Sequence, residues 1–464
     1  MPLRITVLGT GYLGATHAVC LAELGFEVVG LDTDEAQVKA LASGSLPFHE
    51  PGLEELLHRG LRSGRLRFTT SYAEAAEFGD VHFVCVGTPQ RADSSAADMS
   101  HLWACADALA PRLTRPCLVV GKSTVPVGTA EALAERLARL APAGVAAEVA
   151  WNPEFLREGH AVADTMRPDR IVAGVTSPRA EAILREVYAA PLADGVPFLV
   201  MDLATAQLVK VAANAFLATK ISFINAMAEV CEASGADVVP LAQALGLDER
   251  IGRRFLAPGL GFGGGCLPKD IRAFGTTARE LGVSAVSALL GEVDAINLRR
   301  RARMVDLALE LAGGSLEGRA VGVLGCSFKP NSDDIRDSPA LDVADTVHGL
   351  GAQVTVYDPA AMDRARQLHP ELEYASSMHD AAAGADLLLL LTEWPEFVDA
   401  DPGVLGHAVA QRNIVDGRSV LDADRWRAAG WRYRALGRPA TPATPVGRPA
   451  ALATPSAESI SATG

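Results

Sequence analysis

The segment GFGGGCLPKD (Gly261–Asp270) concentrates the chemistry this chain can do. Four glycines within five residues give a backbone that can wrap closely round a ligand. Cys266 follows them, and Pro268 suits the first turn of a helix. A thiol at a helix N-terminus beside Lys269 is expected to have a lowered pKa and more thiolate, the state of an activated nucleophile. Cys20, Cys85, Cys105, Cys117, Cys231 and Cys326 have apolar neighbours and no glycine cradle, and read as small buried side chains. No CxxC pair occurs, so neither a metal site nor a disulfide framework is expected.

Two further groups accompany the thiol. In the stretch 203–234, Lys210 and Asn214 stand at i and i+4 and share a helix face. Asn225 lies eleven residues beyond Asn214, close to three turns, and returns to that stripe. A cation with an amide donor on a largely apolar helix can stabilise an oxyanion. The run WNPEFLRE (Trp151–Glu158) is expected to set Glu154 and Glu158 one helical turn apart, where paired carboxylates can activate water or hold sugar hydroxyls.

A phosphate site stands near the N-terminus. GTGYLG (Gly9–Gly14) follows an expected strand and opens an expected helix. Gly9 permits the tight turn, Gly11 a close backbone approach to a pyrophosphate, and Gly14 helix-on-strand packing. With Tyr12 and Leu13 these are candidate cofactor contacts at a helix N-terminus. Asp32 ends the next strand, 18 residues after Gly14, where a carboxylate accepts bonds from ribose hydroxyls. It also repels a 2′-phosphate, which favours NAD over NADP. The runs GTP (with Thr88) and KSTVP (with Thr124) end later strands, at the edge where doubly wound sheets bind ligands.

The elements that must position these groups are legible as apolar runs. Runs at 4–9, 27–32, 80–89, 117–124, 147–153 and 169–175 alternate with helical patterns, which predicts a parallel sheet covered on both faces. Residues 203–234 carry neither Gly nor Pro and predict one long helix, capped by Asp202 and Thr205 and ended by Gly235. Shorter helices are expected to about residue 312. A second α/β unit shows runs at 319–325, 352–359, 385–394 and 413–422. The final stretch is rich in Pro, Ala, Thr and Ser and reads as a disordered tail. The expected division is 1–202, 203–312, 313–437 and the tail 438–464.

At roughly 150 residues per domain, 464 residues allow about three domains. With 49% apolar and 21% charged residues the composition is that of a globular protein. The net charge of −14, from 42 Lys+Arg against 56 Asp+Glu, comes without a long basic run and argues against nucleic acid as a partner. The N-terminus reads as a strand entering a glycine turn rather than a signal peptide. No run of about 18 apolar residues suggests a membrane span. The expected setting is cytoplasmic, without membrane.

In this order, GTGYLG, VGTP, KSTVPVGT, NPEFLREG, LVKVAANAFLATKISFIN, GFGGGCLPKD, FKPNSDDIRDSPAL and DGRSVLD together resemble the UDP-glucose/GDP-mannose dehydrogenase family over about residues 1–437. The resemblance implies an α/β fold of two Rossmann-like, doubly wound domains, the first for NAD and the second for a UDP-sugar, joined by a long central helix. It implies oxidation of a nucleotide sugar's primary alcohol to a carboxylate with reduction of two NAD, UDP-glucose to UDP-glucuronate being the nearest pattern. Cys266 matches the cysteine that carries a thiohemiacetal and then a thioester. Lys210 and Asn214 match the residues that steady the oxygen anion, and Asp270 the aspartate that orients the water or base. Glu154 matches the glutamate assigned to thioester hydrolysis, and Thr124 a threonine that helps hold water and cofactor. For NAD the resemblance adds Glu158, Lys269 and Arg336. For the sugar nucleotide it adds the segment Glu154, Phe155, Leu156, Arg157 and Glu158, the segment Phe255, Leu256, Ala257, Pro258 and Gly259, and Gly263, Lys329 and Arg418. Arg250 matches an arginine that reaches the substrate of a neighbouring subunit, which implies a homodimer or higher homo-oligomer.

Two positions depart from the family pattern. Gly265 replaces a serine, removing one hydroxyl near the thiol, and Gln37 replaces a basic residue near the adenosine, which implies weaker cofactor affinity. GDP-mannose and N-acetylated UDP-sugars are the alternative substrates. A two-electron dehydrogenase without need of a thiol, and a non-catalytic nucleotide-binding module, are the alternative classes.

Overall fold

A computed structural model describes residues 3–439; from residue 440 the expected tail lies outside the described residues. The first sheet contains β1 Arg4–Leu8, β2 Glu27–Leu31, β3 Leu66–Thr69, β4 Val81–Val84, β5 Cys117–Gly121, β6 Ala147–Trp151, β7 Ile171–Gly174 and β8 Phe198–Met201. Their spatial order is β3-β2-β1-β4-β5-β6-β7-β8. The second sheet contains β9 Ala320–Leu324, β10 Gln353–Tyr357, β11 Glu373–Tyr374, β12 Leu387–Leu390, β13 Asn413–Asp416 and β14 Arg432–Ala435, in the order β11-β10-β9-β12-β13-β14. Both sheets thus reverse direction beside their first strand, the place where doubly wound sheets open a crevice at their carboxyl edge. Strands such as β12 (LLLL) are apolar at every position because helices cover both faces.

The first sheet is not purely parallel. β7 meets β6 antiparallel, through Trp151 and Gly174. A parallel return needs a long crossover, and between these strands the chain forms only the six-residue helix Ala161–Met166. β8 follows β7 in parallel after the helices Pro178–Val187 and Ala189–Ala193. The short strands β3, β8, β11 and β14 are additions to the expected set.

The long helix spans Leu203–Ser234, 32 residues. The Asp202 carboxylate accepts a bond from the Thr205 amide at its start (2.8 Å), and Gly235 ends it at φ +75°. By length and composition it could cross a bilayer. Here it packs on the helices Leu267–Glu280 and Ser284–Ala312. The latter is a single 29-residue helix where shorter ones were expected, and it carries Gly291 within it. Ala215, Ala218, Phe262, Ile271, Leu290 and Val293 form one small core joining these three helices to the glycine loop.

Candidate active site

The cofactor turn is built as its glycines require. Gly9 has φ +86°, and a Cβ on Gly14 would stand 1.7 Å from the Gly9 carbonyl oxygen. Gly11 has nothing near its missing Cβ, so the backbone there faces open space. The helix Tyr12–Glu23 that follows has no side-chain cap, leaving its first amides free for an anion. Leu13 packs partly into the core. Asp32 follows β2 and accepts from the Thr10 amide at 2.7 Å. Gln37 Nε2 donates to the Thr10 carbonyl and lies 3.4 Å from Asp32 Oδ2, so it braces the turn in place of a basic residue. These features fit a dinucleotide.

The corresponding acid of the second sheet is spent. Asp358, 1% exposed, accepts from the Cys326 and Ser327 amides, the Ser327 hydroxyl and the Trp394 indole. No lone pair is left for a ribose, so this domain must hold a ligand by other groups.

Cys266 closes the glycine loop and immediately precedes the helix Leu267–Glu280. The residue is exposed. The expected lowered pKa is corrected: burial, then the Glu154 carboxylate, push the thiol up to about 11. The cations Lys210 and Lys269 lower it but do not outweigh burial, and both are already paired. Lys210 Nζ lies 2.8 Å from Glu154 Oε1, and Lys269 Nζ lies 2.5 Å from Asp270 Oδ1. Asn214 Nδ2 donates to Asp270 Oδ2 at 2.6 Å. Burial pushes the Glu154 carboxyl up, but Lys210 and the Leu156 amide (2.6 Å) hold it below the usual range.

A cleft beside this cluster is lined by Thr88, Thr124, Lys269 and Asp270. The Thr88 hydroxyl donates to the Thr124 carbonyl at 2.8 Å. Strand ends of the first sheet thereby face the cysteine helix.

Glu154 and Glu158 do not share a helix. Residues 152–157 are irregular, because Asn152 Nδ2 is tied to the Val172 carbonyl (2.7 Å) and Glu50 captures the Gly159 and Ala161 amides (both 2.7 Å). Glu158 lies 3.3 Å from Arg336, and burial with the Asp334 charge pushes it up to about 7. Phe155 lies beneath the Arg170 guanidinium at 3.9 Å, and Arg157 pairs with Asp164 at 2.6 Å. Lys329, lowered by burial, exerts its charge on Glu158 and Cys266.

Asn225 is buried, but it does not join the lysine stripe at the thiol. Its Oδ1 accepts the Gly259 amide at 2.9 Å. Gly259 lies so close to the second domain that a Cβ would stand 2.9 Å from the Gly417 oxygen. Of the same segment, Leu256 is buried, Phe255 and Ala257 are exposed, and Pro258 is half-buried. Arg418 is held by the carbonyls of Leu391 (2.6 Å), Gly261 (3.3 Å) and Phe328 (3.2 Å), bridging the second sheet to the glycine loop. A Cβ on Gly263 would strike the Asp337 oxygen at 2.3 Å, and one on Gly265 would stand 2.3 Å from Arg336 Cζ. The missing serine hydroxyl thus coincides with the seat of the Arg336 guanidinium. Arg250 is not brought to this cluster; its exposed side chain pairs with Asp248.

Glu50, Lys122 and Asp334 were not singled out from sequence. Lys122 stood within the KSTVP run, and Asp334 within SDDIRD. Glu50 carried no signal beyond being an acid in a loop.

The comparisons with known proteins agree with this construction. Three domain models of the UDP-glucose/GDP-mannose dehydrogenase family match the chain: the NAD binding domain over residues 3–191, the central domain over 204–299 and the UDP binding domain over 322–423. The chain is 42% identical to UDP-glucose 6-dehydrogenase of Rhizobium meliloti over 94% of its own length and 100% of that protein. It is 40% identical to UDP-glucose 6-dehydrogenase TuaD of Bacillus subtilis, over 95% and 94%. A solved UDP-glucose dehydrogenase from the archaeon Pyrobaculum islandicum superposes with a TM-score of 0.87 at 40% identity, covering 94% of this chain and 98% of that one. A UDP-D-ManNAc dehydrogenase from Pyrococcus horikoshii gives 0.82 at 28% identity, over 94% and 99%. With all three domain models matched in order along one chain, the protein belongs to the UDP-glucose/GDP-mannose dehydrogenase family.

Proposed function

We propose that this protein oxidises UDP-glucose to UDP-glucuronate with NAD, through a thioester on Cys266. The observation that carries the reading is the convergence of Cys266, the Lys210–Glu154 pair and Asp270 beside a free-ended dinucleotide turn. Near-complete coverage of UDP-glucose 6-dehydrogenases at about 40% identity supports this substrate.

When bound, NAD accepts one hydride in each of two oxidations at the same carbon. Gly9, Gly11, Tyr12, Leu13 and Gly14 would hold its pyrophosphate and Asp32 its ribose, with Thr88, Thr124, Glu158, Lys269 and Arg336 toward the reacting end. The resting thiol is protonated, so attack on the aldehyde carbon requires Sγ to shed its proton as the C–S bond forms. We assign that transfer to Asp270, which lies one turn along the same helix and is held by Asn214 and Lys269. Lys210 and Asn214 stabilise the oxygen anion of the hemithioacetal. After the second oxidation, Glu154 takes a proton from water, the oxygen adds to the thioester carbon, the C–S bond breaks, and Sγ takes back its proton from Asp270 as the acid is released.

Phe155, Leu156, Arg157, the segment Phe255–Gly259, Gly263, Lys329 and Arg418 would grip the UDP-sugar between the two sheets. That division of labour follows the segments 1–202, 203–312 and 313–437. A covalent intermediate explains how the substrate stays while the cofactor is exchanged.

The homodimer belongs to the same proposal. Phe216, Phe223 and Val230 recur every seven residues along the long helix and are 66%, 49% and 56% exposed, a stripe suited to a second copy. Arg250, exposed and paired in its own chain only with Asp248, would then serve the neighbour's site. A cytoplasmic setting fits the NAD and UDP-sugar requirement.

Initial rates with UDP-glucose, GDP-mannose, UDP-N-acetylglucosamine and UDP-N-acetylmannosamine test the assignment. NADH from UDP-glucose at well above the other rates is expected. Turnover of GDP-mannose without turnover of UDP-glucose would reverse it.

A further inference from the structure

Behind Glu154, on the side away from the cysteine helix, lies a cavity of about 50 Å³, enough for a few waters. Its lining includes His17, Lys122, Asn152, Glu154 and Tyr188. Lys122 is 6% exposed, and no carboxylate lies within ion-pair distance of it among the described residues. Its ammonium is held instead by neutral groups: Asn152 Oδ1 at 2.9 Å, the Tyr188 hydroxyl at 3.4 Å, and the Phe83 ring at 5.7 Å. A buried cation without a partner is costly, and burial lowers Lys122 itself to about 8, so it carries its charge through neutrality and sheds it toward the alkaline end.

The other groups around it are neutral. Burial lowers His17 and raises Cys85 and Tyr188, so none carries charge near neutrality. His17 Nε2 is buried without a partner. Asp164 is occupied by Arg157, and Arg170 lies over Phe155. The charge that acts on Glu154 from the front is Lys210, and the neutral Cys266 thiol lies on that side. Lys122 acts on it from behind.

This arrangement resolves a conflict in the proposed chemistry. Lys210 pairs with Glu154 at rest, yet it must also face the substrate's developing oxygen anion. Turning to that anion would strand a buried carboxylate. We propose that Lys122 is a positioning residue, a second cation that keeps Glu154 ionised and so frees Lys210 for the substrate. This rests on the assignment of Glu154 to thioester hydrolysis.

The test compares Lys122→Met in the wild-type and Glu154→Gln backgrounds, reading kcat and KM for UDP-glucose from pH 5 to 9. In the wild-type background the acid limb of kcat should move up by about one pH unit, a tenfold loss on that limb. KM should change less than about twofold, and Lys122→Arg should restore the limb. In the Glu154→Gln background the substitution should cost nothing further. Lys122→Gln, which keeps a donor for Asn152, carries the same expectation should Lys122→Met not fold. An equal loss in both backgrounds, or an unmoved acid limb, would overturn the inference and leave the hydrolysis assignment standing. Normal turnover by Glu154→Gln alone would remove that assignment, and this inference with it.

Discussion

Lys210 Nζ and Glu154 Oε1 meet at 2.8 Å, with their side chains only 6% and 13% exposed. One partner stands on the long helix and the other on the irregular segment after β6, so the pair fastens the first sheet to the central helices. Removing one member of a buried pair leaves the other uncompensated, at a cost of about 3–5 kcal/mol. Lys210→Met and Glu154→Gln should therefore each lower the thermal midpoint, the first by stranding a buried anion and the second by stranding a buried cation. The Glu154 pKa is depressed in the fold, so its contribution is present above the ordinary glutamate pKa and is lost as pH falls through the folded value. The gap in midpoint between wild type and Glu154→Gln should shrink on acidification below the ordinary glutamate range. A gap independent of pH would show that the pair does not contribute through its charge.

A thiol pushed up to about 11 is protonated in the resting enzyme. Alkylation of Cys266 by iodoacetamide, followed by peptide mass spectrometry, should rise about tenfold per pH unit across neutrality. A plateau below about pH 8 would mean a thiolate at rest and remove the need for proton transfer during attack.

Asn225 reaches the substrate segment from the long helix through a single bond to the Gly259 amide. Asn225→Ala should loosen Gly259 and raise KM for UDP-glucose roughly tenfold, the scale of one lost buried hydrogen bond. KM for NAD should stay unchanged, since the cofactor turn lies on the other sheet. Equal changes in both constants would point to general destabilisation.

Much of this was legible because the groups concerned are fixed by local rules. The glycines of the cofactor turn, the capped long helix and the apolar strand runs follow from backbone sterics and periodicity. The misreadings share another cause, namely that distant partners decide. Glu158 was read as a helical neighbour of Glu154, but Glu50, a hundred residues earlier, draws that segment out through the Gly159 amide. The Cys266 thiol was read from its helix end and Lys269. Its pKa is raised instead by burial first and then by Glu154, while Lys210 and Lys269 are already paired. Asn225 shares the helical period of Lys210, yet the loop it faces comes from the chain beyond it. Gly265 looked like a lost hydroxyl, and only the fold shows the Arg336 guanidinium standing where that side chain would be.

The most direct measurement is the number of NADH formed per UDP-glucose consumed, for the wild type and for Cys266→Ser. Two NADH per sugar in the wild type, with no net acid from Cys266→Ser, is the predicted result. One NADH per sugar, or full acid formation by Cys266→Ser, would contradict a covalent intermediate on that sulfur.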